Sequence, residues 1–183
     1  MSGQPDWRNA YLGLGSNLGN RLENLRYAVH ALGSHPHVQL RKVSAVYETE
    51  PVGDVSQPYY LNAVVAVRTR LAPEALLDLC LRLEAERGRV RKERWGPRTL
   101  DVDVLLVEGV HLRTTRLELP HPELTRRRFV LQPLSDVAHD ELLEPFGKTG
   151  AALLAGCSDT RSVRFFGPAE LLSPSEVQHA RSL

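Results

Sequence analysis

Tyr60-Leu61-Asn62-Ala63-Val64-Val65-Ala66-Val67-Arg68-Thr69 is the stretch on which the fold turns. Its side chains alternate: Leu61, Ala63, Val65 and Val67 share one face, and Tyr60 and Asn62 share the other. This is a strand with an aliphatic row against a core and a polar, aromatic pair facing away from it. Toward the N-terminus, residues 48–59 form a loop punctuated by Pro51, Gly53 and Pro58, long enough to suggest function. Residues 38–47 are rich in β-branched side chains and read as one strand. Leu18, Leu22, Leu25, Val29 and Leu32 recur at helical steps before Gly33, after a short strand at 11–15. Toward the C-terminus, Pro73 opens a helix striped by Leu76, Leu79, Cys80 and Leu83, and Gly88 closes it. Residues 99–107 read as a strand, Glu108-Gly109 as a hairpin turn, and 110–112 as the return. Beyond 120–122 the chain reads mostly helical, and Pro133 need not break that if it opens a new helix. The order strand, helix, strand, strand, helix, strand predicts an α+β fold: a ferredoxin-like split βαβ core whose antiparallel sheet is flanked by helices.

The 183 residues, 42% of them hydrophobic, suffice for one sizeable core, and no linker or repeat divides them, so residues 1–183 are expected to form a single domain. A formal charge of +1 offers no uniform attraction to nucleic acid or anionic lipid, so any charge-driven binding must be local. Cys80 and Cys157 are too few for a disulfide scaffold and are expected to be buried thiols in a reducing compartment. With no basic-then-apolar leader and no run of roughly 18 apolar residues, the expectation is a cytoplasmic protein. No long exposed apolar stripe is evident, which favours a monomer.

The most unusual segment is 87–98, where Arg87, Arg89, Arg91, Lys92, Arg94 and Arg98 stand with Glu93 as the one acid. Such a cluster repels itself unless an anion joins it. Directly after it, the apolar strand 99–107 carries Asp101 and Asp103 two residues apart. Both carboxylates therefore leave one face, with ~6–7 Å between α-carbons. Acids inside an apolar strand are costly without a strong partner, and two at this spacing suit Mg²⁺, which takes one or two carboxylates and completes its shell with water and phosphate oxygens. Basic side chains beside paired carboxylates describe a site for a polyphosphate and its metals, with a nucleoside triphosphate as the ligand. Common nucleotide motifs do not explain it. Gly147-Lys148-Thr149 has Leu142 where a P-loop needs glycine, and Gly13, Gly15 and Gly19 are spaced one residue too far for the dinucleotide fingerprint. His121, fixed between Pro120 and Pro122, precedes Arg126, Arg127, Arg128 and Phe129, a second basic wall with an aromatic residue beside it.

Gly15-Ser16-Asn17-Leu18-Gly19, Gln57-Pro58-Tyr59-Tyr60-Leu61-Asn62 and above all Arg94-Trp95-Gly96-Pro97-Arg98-Thr99-Leu100-Asp101-Val102-Asp103 together resemble the 6-hydroxymethyl-7,8-dihydropterin pyrophosphokinase family of folate biosynthesis. The resemblance runs over residues 10–157 in consistent order and leaves 158–183 as an unassigned extension. It implies transfer of the terminal diphosphate of ATP to the hydroxymethyl oxygen of a reduced pterin, with release of AMP and two Mg²⁺ held by Asp101 and Asp103. It further implies that Arg89, Arg98, His121 and Arg127 hold the triphosphate, that Arg91 and Lys92 belong to a mobile loop closing over ATP, and that Glu84, Val104 and Arg116 support the nucleotide site. The pterin would lie between Tyr60 and Phe129, with Asn62 and backbone near Thr49 and Val52 reading its polar edge and Trp95 closing over it.

Two other functions are compatible with parts of the sequence. A ferredoxin-like sheet with basic loops and aromatics can bind RNA, although the near-zero net charge and the Asp101/Asp103 pair oppose a phosphate backbone. A metal-dependent nuclease could use the same two carboxylates.

Overall fold

The computed structural model describes residues 5–53, 56–88 and 98–173. In chain order the elements are β1 (Arg8–Ser16), α1 (Arg21–Ser34), β2 (Val38–Val43), β3 (Val46–Thr49), β4 (Tyr60–Thr69), α2 (Pro73–Glu86) and β5 (Asp101–Val107). There follow β6 (Leu112–Arg113), β7 (Glu118–Leu119), α3 (Arg128–Val137), β8 (Leu142–Leu143), β9 (Lys148–Thr149), α4 (Gly150–Ala155) and β10 (Val163–Gly167). The main sheet runs β10-β3-β4-β1-β5, with β2 also on β4, and every neighbouring pair is antiparallel. That is the predicted split βαβ order, with the second strand in two pieces.

Local signals explain the helices that the sequence predicts. Asn20 caps α1 by accepting the Glu23 N–H, Pro73 occupies the first turn of α2, and Gly88 takes a φ of +74° just past its end. The aliphatic face of the sheet, with Leu12, Leu14, Leu61, Val65, Val102 and Val104, packs on Leu25, Val29 and Leu32 of α1 and Leu76, Cys80 and Leu83 of α2. A second core, with Tyr11, Val64, Ala66 and Leu105, lies against Leu131, Leu134 and Val137 of α3 and Leu153 of α4. The sheet is thus covered on both faces, and β1 and β4 carry apolar groups on each.

Four predicted features differ. The strand at 38–47 divides because the Ser44 hydroxyl, not a main-chain carbonyl, accepts the Val64 N–H, which interrupts the ladder between β2 and β3. The return strand at 110–112 does not form. Although Gly109 turns the chain with a φ of +71°, Leu112 pairs with Leu119 in the small β6–β7 ribbon, and Leu105 of β5 instead accepts the His121 N–H on its outer edge. Pro133 lies inside α3 instead of opening a helix, and the chain beyond α3 is mixed, not mostly helical. Residues 158–173 pack back on the domain through β10, which extends the sheet by pairing with β3. Cys80 is buried and Cys157 half-buried, and neither forms a disulfide. Among the described residues no helix is long and apolar enough to cross a membrane.

Glu84 joins the two halves of this frame. Only 3% exposed, it accepts the Val102 N–H at 2.9 Å, and so ties α2 to β5 between Asp101 and Asp103. Removing the acceptor leaves a buried N–H unsatisfied, which costs ~1–3 kcal/mol. Glu84→Ala is therefore expected to lower the unfolding free energy by that amount, and Glu84→Gln, which keeps an acceptor oxygen, to lower it less. Equilibrium unfolding in urea checks both.

Candidate active site

The floor of the site is set by strand register. Asp101 and Asp103 of β5 lie opposite Gly15 and Gly13 of β1, which in turn lie opposite Asn62 and Val64 of β4. Directly opposed residues share a face, so two missing side chains on the central strand leave a trough between the acids on one side and Asn62 on the other. At Gly15 the fit is tight: a Cβ there would sit 2.9 Å from Asn62 Oδ1 and 3.5 Å from the Tyr60 ring. Asn62 cannot easily yield, because its Nδ2 donates to Thr49 Oγ1 at 2.5 Å and both residues are buried.

The trough opens into a cavity of about 310 Å³. Asp101, Asp103, Arg98, His121 and Arg127 line it together with Thr49, Val52, Tyr60, Asn62 and Phe129. Residues predicted from widely separated segments are thereby brought to one cleft. Glu50, Gln57 and the two trough glycines also line it, and the sequence reading assigned them no individual role.

Arg98 is placed by Asn17, a buried residue just past β1. Asn17 Oδ1 accepts the Arg98 N–H at 2.7 Å, and the Asn17 N–H donates to the Arg98 carbonyl at 3.0 Å. The Asn17 Nδ2 donates to Gln57 Oε1 and to the Pro58 carbonyl, so one side chain fixes the start of β5 and the loop before β4. The Arg98 Nη1 donates to Asp101 Oδ2 at 2.9 Å. Burial, which alone would lower its pKa, is outweighed by Asp101, Tyr60 and Asp103, and the guanidinium is held above its ordinary value.

His121 faces the cavity with its Nδ1 accepting the Glu123 N–H at 3.1 Å. That assigns the proton of the neutral ring to Nε2. Burial and then Arg127 push its pKa down, which favours this neutral form. Of the arginines at 126–128, Arg127 lines the cavity, and its guanidinium carbon lies 5.7 Å from the Phe129 ring centre.

Other predicted residues lie elsewhere. Glu84 acts beneath β5 as described, Val104 is in the core facing α2, and Arg116 binds Glu74 and Asp78 on the surface of α2. Arg87, the first of the basic run, turns toward α1, donating to Asn24 Oδ1 at 3.0 and 2.7 Å and lying over the Tyr27 ring. Arg89, Arg91, Lys92 and Trp95 fall outside the described residues.

Comparison with known proteins agrees with this geometry. The profile of the family described as 7,8-dihydro-6-hydroxymethylpterin-pyrophosphokinase (HPPK) matches residues 11–139. The 2-amino-4-hydroxy-6-hydroxymethyldihydropteridine pyrophosphokinase of Methylorubrum extorquens is 49% identical over 131 residues, covering 72% of this chain and 83% of that protein. This chain belongs to the HPPK family. The corresponding HPPK enzyme of Pseudomonas aeruginosa is 44% identical over 150 residues, covering 82% of this chain and 92% of the relative. The HPPK-DHPS of Plasmodium falciparum, solved with pterin and p-hydroxybenzoate, superposes with a TM-score of 0.63 at 16% identity, over 84% of this chain and 44% of that longer one, and shows the same fold. The expectation of an HPPK pyrophosphokinase of folate biosynthesis is thus borne out, with ATP as its co-substrate.

In this HPPK, Gly15→Ala is expected to cost ~1–3 kcal/mol of stability through overpacking against Asn62. Gly13→Ala, whose Cβ would meet the Leu105 side chain at an ordinary 3.5 Å, should cost less. Denaturant midpoints of the two variants, measured side by side, test the asymmetry.

Proposed function

We propose that the chain transfers the β,γ-diphosphate of ATP to the hydroxymethyl oxygen of 6-hydroxymethyl-7,8-dihydropterin in the 310 Å³ cleft. The observation that carries this reading is the convergence on one cavity of two same-face carboxylates, three basic or hydrogen-bond-donating side chains, and the set Tyr60, Asn62 and Phe129. The first two groups suit a triphosphate, and the third suits a flat heterocycle with a hydrogen-bonding edge.

The donor set fits Mg²⁺. Asp101 and Asp103 offer hard oxygens at the cavity wall, and no cluster of three metal-ligating side chains exists among the described residues, so phosphate oxygens and water would complete the shell. When bound there, Mg²⁺ supplies neutralisation of the charge on the triphosphate bridging oxygens. Arg98 and Arg127 hold the outer phosphate oxygens, and the Nε2–H of His121 donates to one of them. Tyr60, Asn62 and Phe129 orient the pterin so that its hydroxymethyl oxygen approaches the β-phosphorus in line with the α,β-bridging oxygen. The new O–P bond forms as that bridging bond breaks; AMP leaves, and the hydroxyl proton passes to solvent. Catalysis then rests on positioning and on charge stabilisation.

The cytoplasm remains the proposed location, and a monomer of one domain the proposed working unit. Helices α3 and α4 cover the sheet face that an RNA-binding platform would expose, which favours the small-molecule reading.

AMP formation that requires ATP, Mg²⁺ and 6-hydroxymethyl-7,8-dihydropterin together is the expected result of a coupled assay with each component omitted in turn. Asp101→Ala and Asp103→Ala should each lower kcat by about 10³-fold or more, while circular dichroism shows the fold retained. Turnover undiminished in both variants would remove the carboxylates from the mechanism.

A further inference from the structure

The segment between α4 and β10 lies outside the matched family region, yet it reaches the wall of the cavity. The Asp159 carboxylate, with its side chain 7% exposed, is the centre of that contact. Its Oδ1 accepts from the Arg161 backbone N–H at 3.1 Å and from Arg161 Nε at 2.8 Å. Its Oδ2 accepts from Arg161 Nη2 at 2.8 Å and from the Arg128 N–H at 3.1 Å. The bidentate guanidinium and the two backbone donors hold the carboxyl well below its usual range, down to about 2.

The bond to Arg128 is the informative one. Arg128 is the first residue of α3, and the helix lacks a capping side chain at its preceding residue, Arg127. Asp159 supplies that cap from 31 residues away, and so fixes the backbone between two cavity residues, Arg127 and Phe129. Arg161, oriented by the same carboxylate, lies with its guanidinium carbon 5.9 Å from the Phe129 ring centre. It also feels the charge of Glu50, another cavity residue. Two residues farther on, Val163 pairs with Thr49, the partner of Asn62. One short segment therefore touches both sides of the proposed pterin slot.

We propose that Asp159 and Arg161 are positioning residues for the pterin: the ion pair caps α3 and holds Phe129 at the spacing from Tyr60 and Asn62 that the ring requires. This rests on the diphosphotransfer reading above. The pair acts mainly on the heterocycle end of the cleft, through Phe129; of the triphosphate residues it adjoins Arg127, while Arg98, Asp101 and Asp103 are placed by β5 and Asn17.

The experiment is steady-state kinetics on the full chain with pterin and ATP varied separately, accompanied by melting temperatures. Asp159→Ala and Arg161→Ala are expected to raise the KM for the pterin about tenfold, with kcat changed less than twofold and the KM for ATP, which the cap reaches through Arg127 alone, raised no more than about threefold. Asp159→Asn keeps an acceptor for the Arg128 N–H but loses the charge that orients Arg161, and Arg161→Lys keeps the charge but loses the two-pronged geometry. Each should fall between wild type and the alanine variants, and each remains informative if an alanine variant does not fold. An unchanged pterin KM in all soluble variants, in a wild-type enzyme that turns over, overturns this inference alone. A fall in kcat with a parallel rise in both KM values, tracking the melting temperature, also overturns it, since it marks a merely structural role. A wild-type enzyme that makes no AMP from the pterin overturns the diphosphotransfer reading, and this inference with it.

Discussion

Everything in the cleft depends on two side chains that β1 does not have. The central strand of a covered sheet would ordinarily project residues from both faces, and at Gly13 and Gly15 it projects none toward α3. The acids of β5 and the amide of Asn62 consequently face one another across bare backbone, and a ligand can approach the sheet itself. The constraint propagates outward. Asn62 fills the space beside Gly15 and is pinned by Thr49, and Thr49 is joined in turn to β10. Nothing larger than glycine fits at position 15 without moving that chain of contacts.

The charges follow from the same arrangement. Asp101 is partly shielded, with its side chain 19% exposed, and it lies against Arg98, whose side chain is 25% exposed, so neither charge is fully solvated. His121, kept toward its neutral form by burial and by Arg127, contributes a donor without adding a third positive charge. Three acids, Asp101, Asp103 and Glu50, against two arginines, Arg98 and Arg127, leave the cleft with charges of both signs close to balance. Such a site would accept a triphosphate and divalent cations together more readily than either alone, since each brings the charge the other needs.

Much of this was legible in the sequence because it depends on period-two and helical spacing. The alternation over 60–69 placed Tyr60 and Asn62 on one face, the Asp-x-Asp spacing placed both carboxylates on another strand's single face, and the stripe after Pro73 gave α2 its buried side. What the sequence did not disclose involves partners distant in the chain. The break at Ser44 arises from a side-chain hydroxyl capturing the Val64 N–H, and the edge of β5 is taken by His121 instead of by the strand that follows the turn. The role of Asn17 required knowing that Gln57, Pro58 and Arg98 converge on it. Arg87 looked like part of the anion site and is instead committed to Asn24. Residues 158–173 gave no local signal strong enough to show that they complete the sheet and cap α3.

The central claim is that one cleft holds the triphosphate against β5 and the pterin against Tyr60 and Phe129. A crystal structure of the chain with Mg²⁺, a non-hydrolysable ATP analogue and 6-hydroxymethyl-7,8-dihydropterin tests it most directly. The account predicts metal density bridging Asp101, Asp103 and the phosphates, with the pterin ring beside Phe129 and its hydroxymethyl group directed at the β-phosphorus. Nucleotide density on another face of the molecule, or carboxylates of Asp101 and Asp103 that contact neither metal nor phosphate, would contradict it.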